Sequence, residues 1–125
     1  MNRNSANRVI LVGHLGGNAE TRHLSNETIT SNFSIATNIS WKNENGEYSE
    51  RTDWHRITAW RNLAEYTKSL IKGQLLYVEG HLQNREWTDK DNQKHYVTDI
   101  IAEKITALGT KKKEPSSQDN SDNKE

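Results

Sequence analysis

The alternation of apolar and polar side chains predicts β-strands along most of this chain. Residues 8–13 (RVILVG) form a short apolar run that ends in glycine, and residues 19–24 extend this strand past the kink GHLGG. The alternation is cleanest over residues 28–41, whose length exceeds that of common strands and indicates the bent strand of a barrel. The dipeptide Asn45-Gly46 is a strong hairpin signal and returns the chain into residues 51–60.

The segment NLAEYTKSLIKG (62–73) changes from the period of a strand to that of a helix. The apolar stripe of this helix consists of Leu63, Tyr66, Leu70 and Ile71. Asn62 is predicted to cap the start of the helix, Glu65 to complete a capping box and Gly73 to end the helix.

Two further strands follow, over residues 75–87 and 96–108, and a polar loop (TDKDNQKH) separates them. In the first of these strands the even positions alternate inward, and they are Leu76, Val78 and Leu82. The outer face carries Tyr77, Arg85 and Trp87.

The chain order is therefore three strands, one helix and two strands. A helix inserted after the third strand is the order of the OB-fold, a five-stranded Greek-key barrel. We therefore predict an all-β chain with one inserted helix, folded as a five-stranded OB-fold barrel over residues 1–109. Residues 110–125 contain no aliphatic or aromatic residue, so they are predicted to be a disordered polar tail.

The stretch RTDWHRITAW (51–60) places large aromatic side chains away from the predicted core. Trp54 and Trp60 share one face of the strand with Arg56, whereas Ile57 lies on the other face. Every tryptophan of the chain has a basic residue close in sequence: Trp41 and Lys42, Trp54 and Arg56, Trp60 and Arg61, Trp87 and Arg85. Strict alternation would put Trp41 on the face of Ile39, so a bulge or the end of the strand would have to turn Trp41 outward.

Aromatic side chains beside cations suit single-stranded nucleic acid. Bases stack on aromatic rings for about 1–3 kcal/mol per base without regard to sequence, and Lys or Arg attracts the phosphates. Core packing explains any one tryptophan, because tryptophan is highly buried on average. Three tryptophans in phase on outer faces make an ordinary core unlikely as the common explanation. A protein–protein interface stays open as the rival interpretation, since Trp, Tyr and Arg are also hot-spot residues.

The composition bears on the size of the core, on the kind of partner and on the cellular compartment. Hydrophobic residues make up 31% of the chain, and seven glycines leave the apolar total below the usual ~45–50%, so the core is thin and a subunit interface would supplement it. Seventeen basic and seventeen acidic residues give a net charge of zero, so an anionic partner must be held by local arrangement. No cysteine is present and no apolar run approaches the ~20 residues of a membrane span, so we expect a cytoplasmic protein without disulfides.

Signals for catalysis or a cofactor are weak. The five histidines lack metal-ligand spacing of the HExxH kind, and GHLGG lacks the lysine of a phosphate-binding loop. Asp53 lies close to His55, but no nucleophile accompanies them, so a structural role for His55 is favoured. We therefore expect neither an enzyme nor a bound metal or cofactor.

Several blocks together resemble the bacterial and mitochondrial single-stranded DNA-binding protein family. The resemblance covers residues 7–108 through NRVILVGHLGG, NFSIATN, RTDWHRITAWRNLAE, LYVEGHL and REWTD. It implies an OB-fold that assembles as a homotetramer and binds single-stranded DNA without sequence preference, in replication, recombination and repair.

Carried over position by position, the resemblance assigns roles to individual residues. The family's base-stacking aromatic residues fall on Trp41, Trp54, Trp60 and Trp87, which also turns Trp41 toward the DNA groove. Basic positions on the DNA path match Arg8, Arg22, Arg56, Lys72 and Arg85, to which the neighbours of the tryptophans add Lys42 and Arg61. His55 and Tyr77 match positions at or near subunit contacts.

Two features depart from the family pattern. Well-known relatives are basic where this chain has Gln83 and Glu86 beside Trp87, so we expect a shallower salt dependence of DNA binding. Many bacterial members also end in an acidic run tipped with proline and phenylalanine. This chain ends in SSQDNSDNKE, which makes the usual tail-mediated recruitment of replication and repair proteins doubtful.

The sequence thus predicts a non-enzymatic, nucleoid-associated protein of the cytoplasm that binds single-stranded DNA. RNA is a secondary candidate ligand, because stacking distinguishes it poorly from DNA. The alternative is an OB-fold module whose aromatic face binds a protein partner.

Overall fold

A computed structural model describes residues 4–24 and 26–109 of the chain. The elements follow the order β1 (Val9–Leu15), β2 (Glu20–His23), β3 (Ile29–Lys42), β4 (Tyr48–Trp60), α1 (Asn62–Thr67), β5 (Leu75–Thr88) and β6 (Lys94–Leu108). The predicted tail over residues 110–125 lies outside the described residues, so the boundary at residue 109 stays a prediction.

The strands close into a five-stranded barrel with one short helix, which confirms the predicted OB-fold. The hydrogen-bonded order is β1-β5-β6-β4-β3, and pairing of β1 with β3 at His14–Ala36 and Leu15–Ile35 closes the ring. β4 and β6 run parallel, whereas the other neighbours are antiparallel. The predicted first strand is divided at the GHLGG kink, and β2 continues along β3 where β1 stops.

The core fills the barrel with side chains from five strands and the segment after the helix. Its buried members are Leu15, Phe33, Ile35, Ile57, Ala59, Leu70, Leu76, Val78, Ala102 and Ile105. The alternation within residues 51–60 is confirmed: Ile57 and Ala59 are fully buried, whereas Trp54 and Trp60 are exposed.

The helix begins and ends differently from the prediction. Asn62 is the first helical residue, not the cap; Arg61 occupies the N-cap position and makes no side-chain capping hydrogen bond. The helix ends at Thr67, and Leu70 enters the core from the turns that follow. Gly73 closes this segment at φ 88°, a conformation that glycine adopts without strain.

Two hairpins extend beyond the barrel. We call residues 38–52 the β3–β4 arm and residues 82–99 the β5–β6 arm; neither contains a buried side chain. Leu82, predicted to face inward, is therefore 45% exposed, and Ile39 is 56% exposed. Both keep the inward phase of their strands, but the barrel has ended beneath them.

The start of the chain supports the base of the β5–β6 arm. The Asn7 side chain donates from Nδ2 to the Leu82 carbonyl at 2.8 Å and accepts from the Leu82 amide at 2.8 Å. Its amide group therefore pairs with β5 just beyond Val9, where β1 begins.

Candidate nucleic-acid interface

The outer face of β4 carries two tryptophans and an arginine in one line. The β3–β4 register sets Trp54 opposite Ala36, Arg56 opposite Ser34 and Trp60 opposite Thr30. The small side chains of β3 leave the indoles uncovered, with Trp54 61% and Trp60 40% exposed. This face offers two flat apolar surfaces separated by a cation.

Gly16 determines how closely Trp54 approaches the turn after β1. A Cβ atom built on Gly16 would lie 2.5 Å from Cζ3 of the Trp54 ring, closer than carbon atoms pack. The bare backbone of Gly16 thus supports the edge of the indole. The sequence showed a glycine-rich kink here, but not its contact with β4.

A cleft of about 410 Å³ opens beside Trp54, a volume typical of small-ligand sites. Its lining consists of Gly16, Gly17, Asn18, Glu20, Asn32, Phe33, Ser34, Trp54 and Arg56. It combines an exposed aromatic ring, amide groups and one arginine with the carboxylate of Glu20. This lining offers stacking and hydrogen bonding to a planar polar ligand.

Two further arginines lie near Trp60. The β2–β3 register sets Arg22 opposite Thr30, which is itself opposite Trp60, so the three residues form a row across the sheet. Arg61 is held at φ 56° and ψ −122°, a backbone conformation that costs a non-glycine residue about 1–3 kcal/mol. Its side chain is exposed beside Trp60.

Trp41 lies on the other side of the β3–β4 ribbon from Trp54. The register continues without a shift from Thr30–Trp60 to Lys42–Tyr48, so no bulge turns Trp41 outward. Trp41 is nevertheless 46% exposed, because both faces of the arm are open. Lys42 Nζ lies 5.9 Å from the ring centroid of Tyr48 and makes a cation–π contact there.

Trp87, on the β5–β6 arm, is stacked on a histidine. The ring centroids of Trp87 and His95 are 4.4 Å apart with an interplanar angle of 17°. His95 Nε2 lies 2.7 Å from Oδ2 of Asp89. That hydrogen bond is the main reason why the pKa of Asp89 is below its ordinary value. The sequence analysis did not identify the trio of Trp87, His95 and Asp89. The signal that could have indicated it is the hairpin, which pairs Trp87 with His95 across the loop.

The predicted phosphate-binding cations divide into two groups. Arg8 pairs with Glu79 at 2.8 Å, and Arg85 pairs with Asp99 at 2.8 Å, a hydrogen bond that raises the pKa of Arg85. Among the described residues, no carboxylate lies within ion-pair distance of the remaining five, which are Arg22, Lys42, Arg56, Arg61 and Lys72. These five side chains have their charge available for an anionic partner.

Glu86 is itself neutralised in part. Its Oε2 lies 3.6 Å from Lys94 Nζ across the β5–β6 arm. The acid predicted to repel phosphate beside Trp87 therefore has a cation beside it, although an exposed pair of this kind is weak.

His55 and Tyr77 occupy two different parts of the barrel. His55 Nε2 lies 2.9 Å from Oγ1 of Thr37 on the neighbouring strand, and its ring is half-buried. The Tyr77 hydroxyl donates to Glu79 at 2.9 Å, which raises the pKa of Tyr77.

An apolar patch beside Tyr77 was hidden in the sequence. Ile10 and Val12 are 54% and 49% exposed, with Val12 directly opposite Tyr77. The continuous apolar run of residues 8–13 concealed which of its members face outward.

Across residues 4–24 and 26–109, no group of three or more His, Cys, Asp or Glu side chains is arranged to hold a metal ion. In the same part of the chain, no helix is long and apolar enough to cross a membrane.

The closed barrel, the inserted helix and the two arms define an OB-fold protein. The sequence profile of the single-strand binding protein family matches residues 6–108. The chain belongs to the single-strand binding protein family, as its sequence blocks indicated.

Relatives from several bacteria share this similarity. The single-stranded DNA-binding protein of Neisseria meningitidis serogroup A is 43% identical over 106 residues, which cover 84% of this chain and 61% of that protein. Single-stranded DNA-binding protein 1 of Chlorobaculum tepidum is 42% identical, with coverage of 84% and 66%. The chain therefore spans less than two thirds of the length of these curated relatives.

Two solved structures are similar in fold. The Plasmodium falciparum SSB in complex with ssDNA matches with a TM-score of 0.76 and 33% identity, over 87% of this chain and all of that one. A deletion mutant of the single-stranded DNA binding protein from Thermus aquaticus matches with a TM-score of 0.72 and 28% identity, over 83% of this chain and 51% of that one.

Proposed function

We propose that this protein binds single-stranded DNA without sequence preference and protects it during replication, recombination and repair. The observation that carries the proposal is the line of Trp54, Arg56 and Trp60 on an open sheet face. Bases stack on the indoles and phosphates approach the arginine, and neither contact depends on base identity.

Trp41 on the β3–β4 arm and Trp87 on the β5–β6 arm add two further stacking surfaces. The basic residues proposed to contact phosphate are Arg8, Arg22, Lys42, Arg56, Arg61, Lys72 and Arg85. Arg8 and Arg85 must first exchange a carboxylate partner for phosphate, so we expect them to contribute least.

The proposed mechanism needs no catalytic group. Binding the open strand and not the duplex shifts base pairing toward separated strands by mass action. The bound protein also covers the strand against nucleases and re-annealing. The proposed place of action is the nucleoid in the cytoplasm, and RNA is a secondary ligand.

We further propose a homotetramer in which His55 and Tyr77 lie at or near subunit contacts. The exposed pair Ile10 and Val12 supports an interface next to Tyr77, because burying them removes apolar surface from water. The strand edge of β1 ahead of His14 also lacks a partner on the β3 side within the described residues, which suits pairing with a second copy.

The first test is intrinsic tryptophan fluorescence during titration with oligo-dT, at low and at high salt. Deep quenching that persists at high salt is expected, because stacking is less sensitive to salt than phosphate attraction is. The variant Trp54→Ala should lose part of the quenching, whereas Tyr48→Ala serves as a matched loss of an exposed aromatic side chain. Absence of quenching at any salt, with the protein folded, would assign the aromatic face to a protein partner instead.

A further inference from the structure

One face of Trp87 is already occupied before any ligand binds. The imidazole of His95 lies nearly parallel to the indole at a centroid distance of 4.4 Å. The two residues are direct cross-strand partners, so the backbone register brings the rings together. Trp87 is still 44% exposed, so part of the indole remains open to a base.

Asp89 holds the imidazole in this position. A carboxylate only accepts hydrogen bonds, so Nε2 of His95 carries a proton and donates to Oδ2 at 2.7 Å. Asp89 is itself fixed, because its Oδ1 accepts from the backbone amides of Asp91 at 2.8 Å and Gln93 at 2.9 Å. The tip of the hairpin thus orients His95, and His95 orients Trp87.

The second proton of His95 changes the charge of the arm. With Nε2 already protonated, a second proton can add only at Nδ1, where it makes the ring a cation. The carboxylate of Asp89 is still ionised at pH 5, since its pKa is lowered from the ordinary 3.8 by His95 first and by the amides of Gln93 and Asp91.

The other charged groups of the arm largely cancel. Glu86 on β5 lies near Lys94 on β6, and Arg85 on β5 pairs with Asp99 on β6. The remaining titratable groups of the arm are Asp89, Lys90 and Asp91 in the loop and Tyr96 on β6. With His95 neutral the arm carries three cations and four carboxylates, so one proton brings it from net negative to neutral.

We infer that His95 is a positioning residue for Trp87, and that its protonation strengthens the binding of single-stranded DNA to the β5–β6 arm. This inference rests on the proposed function. A phosphate beside a base stacked on Trp87 meets a neutral arm in place of an anionic one. One added cation changes the salt slope by ~0.7, which corresponds to about fivefold in affinity at 0.1 M salt and to no change near 1 M. Because coupling is reciprocal, DNA binding also draws a proton onto His95.

The first experiment tests the trio without DNA. The tryptophan fluorescence of the full chain is titrated from pH 8 to pH 5, because a protonated imidazole in contact with an indole quenches its emission. We expect a transition that disappears in His95→Gln and in Trp87→Phe. The variant His81→Gln is the matched control: His81 also lies 2.6 Å from a carboxylate, that of Glu103, but stacks on no tryptophan. A transition retained in His95→Gln would overturn the assignment of the trio, whether or not the protein binds DNA.

The second experiment measures oligo-dT affinity at pH 8 and pH 5.5. We expect the gain of about fivefold at 0.1 M salt in the wild type and in His81→Gln, but not in His95→Phe, which keeps a stacked ring without a charge. His95→Gln, which lacks both, should also bind more weakly than His95→Phe at pH 8. Equal pH dependence of His95→Phe and the wild type would overturn the inference. If the wild type bound no oligo-dT at any pH while its pH-dependent fluorescence transition remained, the proposed function would be refuted instead.

Discussion

The two arms have the same loop geometry and different chemistry. At the tip of the β3–β4 arm, Asn43 Oδ1 accepts from the amides of Asn45 at 2.9 Å and Glu47 at 3.0 Å. On the β5–β6 arm Asp89 accepts from the amides two and four residues later in the same way.

The fourth residue of each loop has the same left-handed backbone conformation. Gly46 has φ 81° in the first loop and Asn92 has φ 64° in the second, the left-handed region in which Asn is tolerated after Gly. The first position differs in a way that reaches the neighbouring rings: the amide group of Asn43 stays neutral at every pH, whereas the carboxylate of Asp89 holds His95 against Trp87. The same hydrogen bonds to the loop amides thus form around a neutral amide group in one arm and around a carboxylate in the other.

The largest expected effects come from removing the tryptophan of either arm. Trp41→Ala and Trp87→Ala should each weaken oligo-dT binding by about 1–3 kcal/mol, the value of one stacked base. The variants should then differ in pH dependence, because Trp41→Ala keeps the trio and Trp87→Ala loses it. Fluorescence-monitored titrations at pH 8 and pH 5.5 check this, and identical pH profiles would remove the distinction between the arms.

The tip of the β3–β4 arm is the next most sensitive point. Asn43→Ala removes two hydrogen bonds to backbone amides and should destabilise the loop by about 1–2 kcal/mol. Amide hydrogen exchange at Asn45 and Glu47 measures the change. Asn43→Asp, which keeps the acceptor oxygen, is the matched control, and equally accelerated exchange in that variant would contradict the role of the Oδ1 acceptor.

A substitution in the segment between β4 and α1 should raise the stability of the fold, whereas Asn43→Ala lowers the stability of its loop. Arg61→Gly relieves a backbone conformation suited to glycine, so it should stabilise the fold by about 1 kcal/mol while weakening oligo-dT binding at low salt. Thermal unfolding and binding are measured on the same variant. Unchanged or lower stability would mean that the surrounding structure already favours this backbone conformation.

The smallest expected effect is that low pH destabilises the loop of the β5–β6 arm but not the loop of the β3–β4 arm. The folded pKa of Asp89 lies below its ordinary value of 3.8, so its stabilising contribution is complete above pH 3.8 and is lost as pH falls toward the folded value. Exchange of the Asp91 and Gln93 amides should therefore accelerate below pH 3.8 relative to the Asn45 and Glu47 amides. Equal acceleration at both tips would contradict a specific role of the carboxylate.

Much of the fold could be predicted because period and order are local properties. The alternation through Ile57 and Ala59 and the element order followed from spacing, and the hairpin followed from the dipeptide Asn45-Gly46. Leu82 keeps the predicted inward phase but is exposed, because alternation gives the phase of a strand and not the point where the barrel stops covering it. The helix cap was wrong because Arg61 adopts a conformation that propensity does not favour.

The candidate site could be predicted only where one element carries it. Trp54, Arg56 and Trp60 lie on one strand, so their common face was readable from the sequence. The support of Trp54 by Gly16 and the stacking of His95 on Trp87 involve different strands or turns. Their detection required the pairing register, which one sequence does not specify.

The unbroken register of β3 with β4 also limits how this family member can evolve. Because side chains alternate at every residue, inserting one residue into β3 between Ala36 and Trp41 would carry Trp41 to the side of the ribbon where Trp54 lies. Insertions that preserve the surface must come in pairs and be matched on both strands. Unless a β-bulge absorbs the extra residue, the β3–β4 arm can therefore lengthen or shorten only in even steps, about 7 Å at a time.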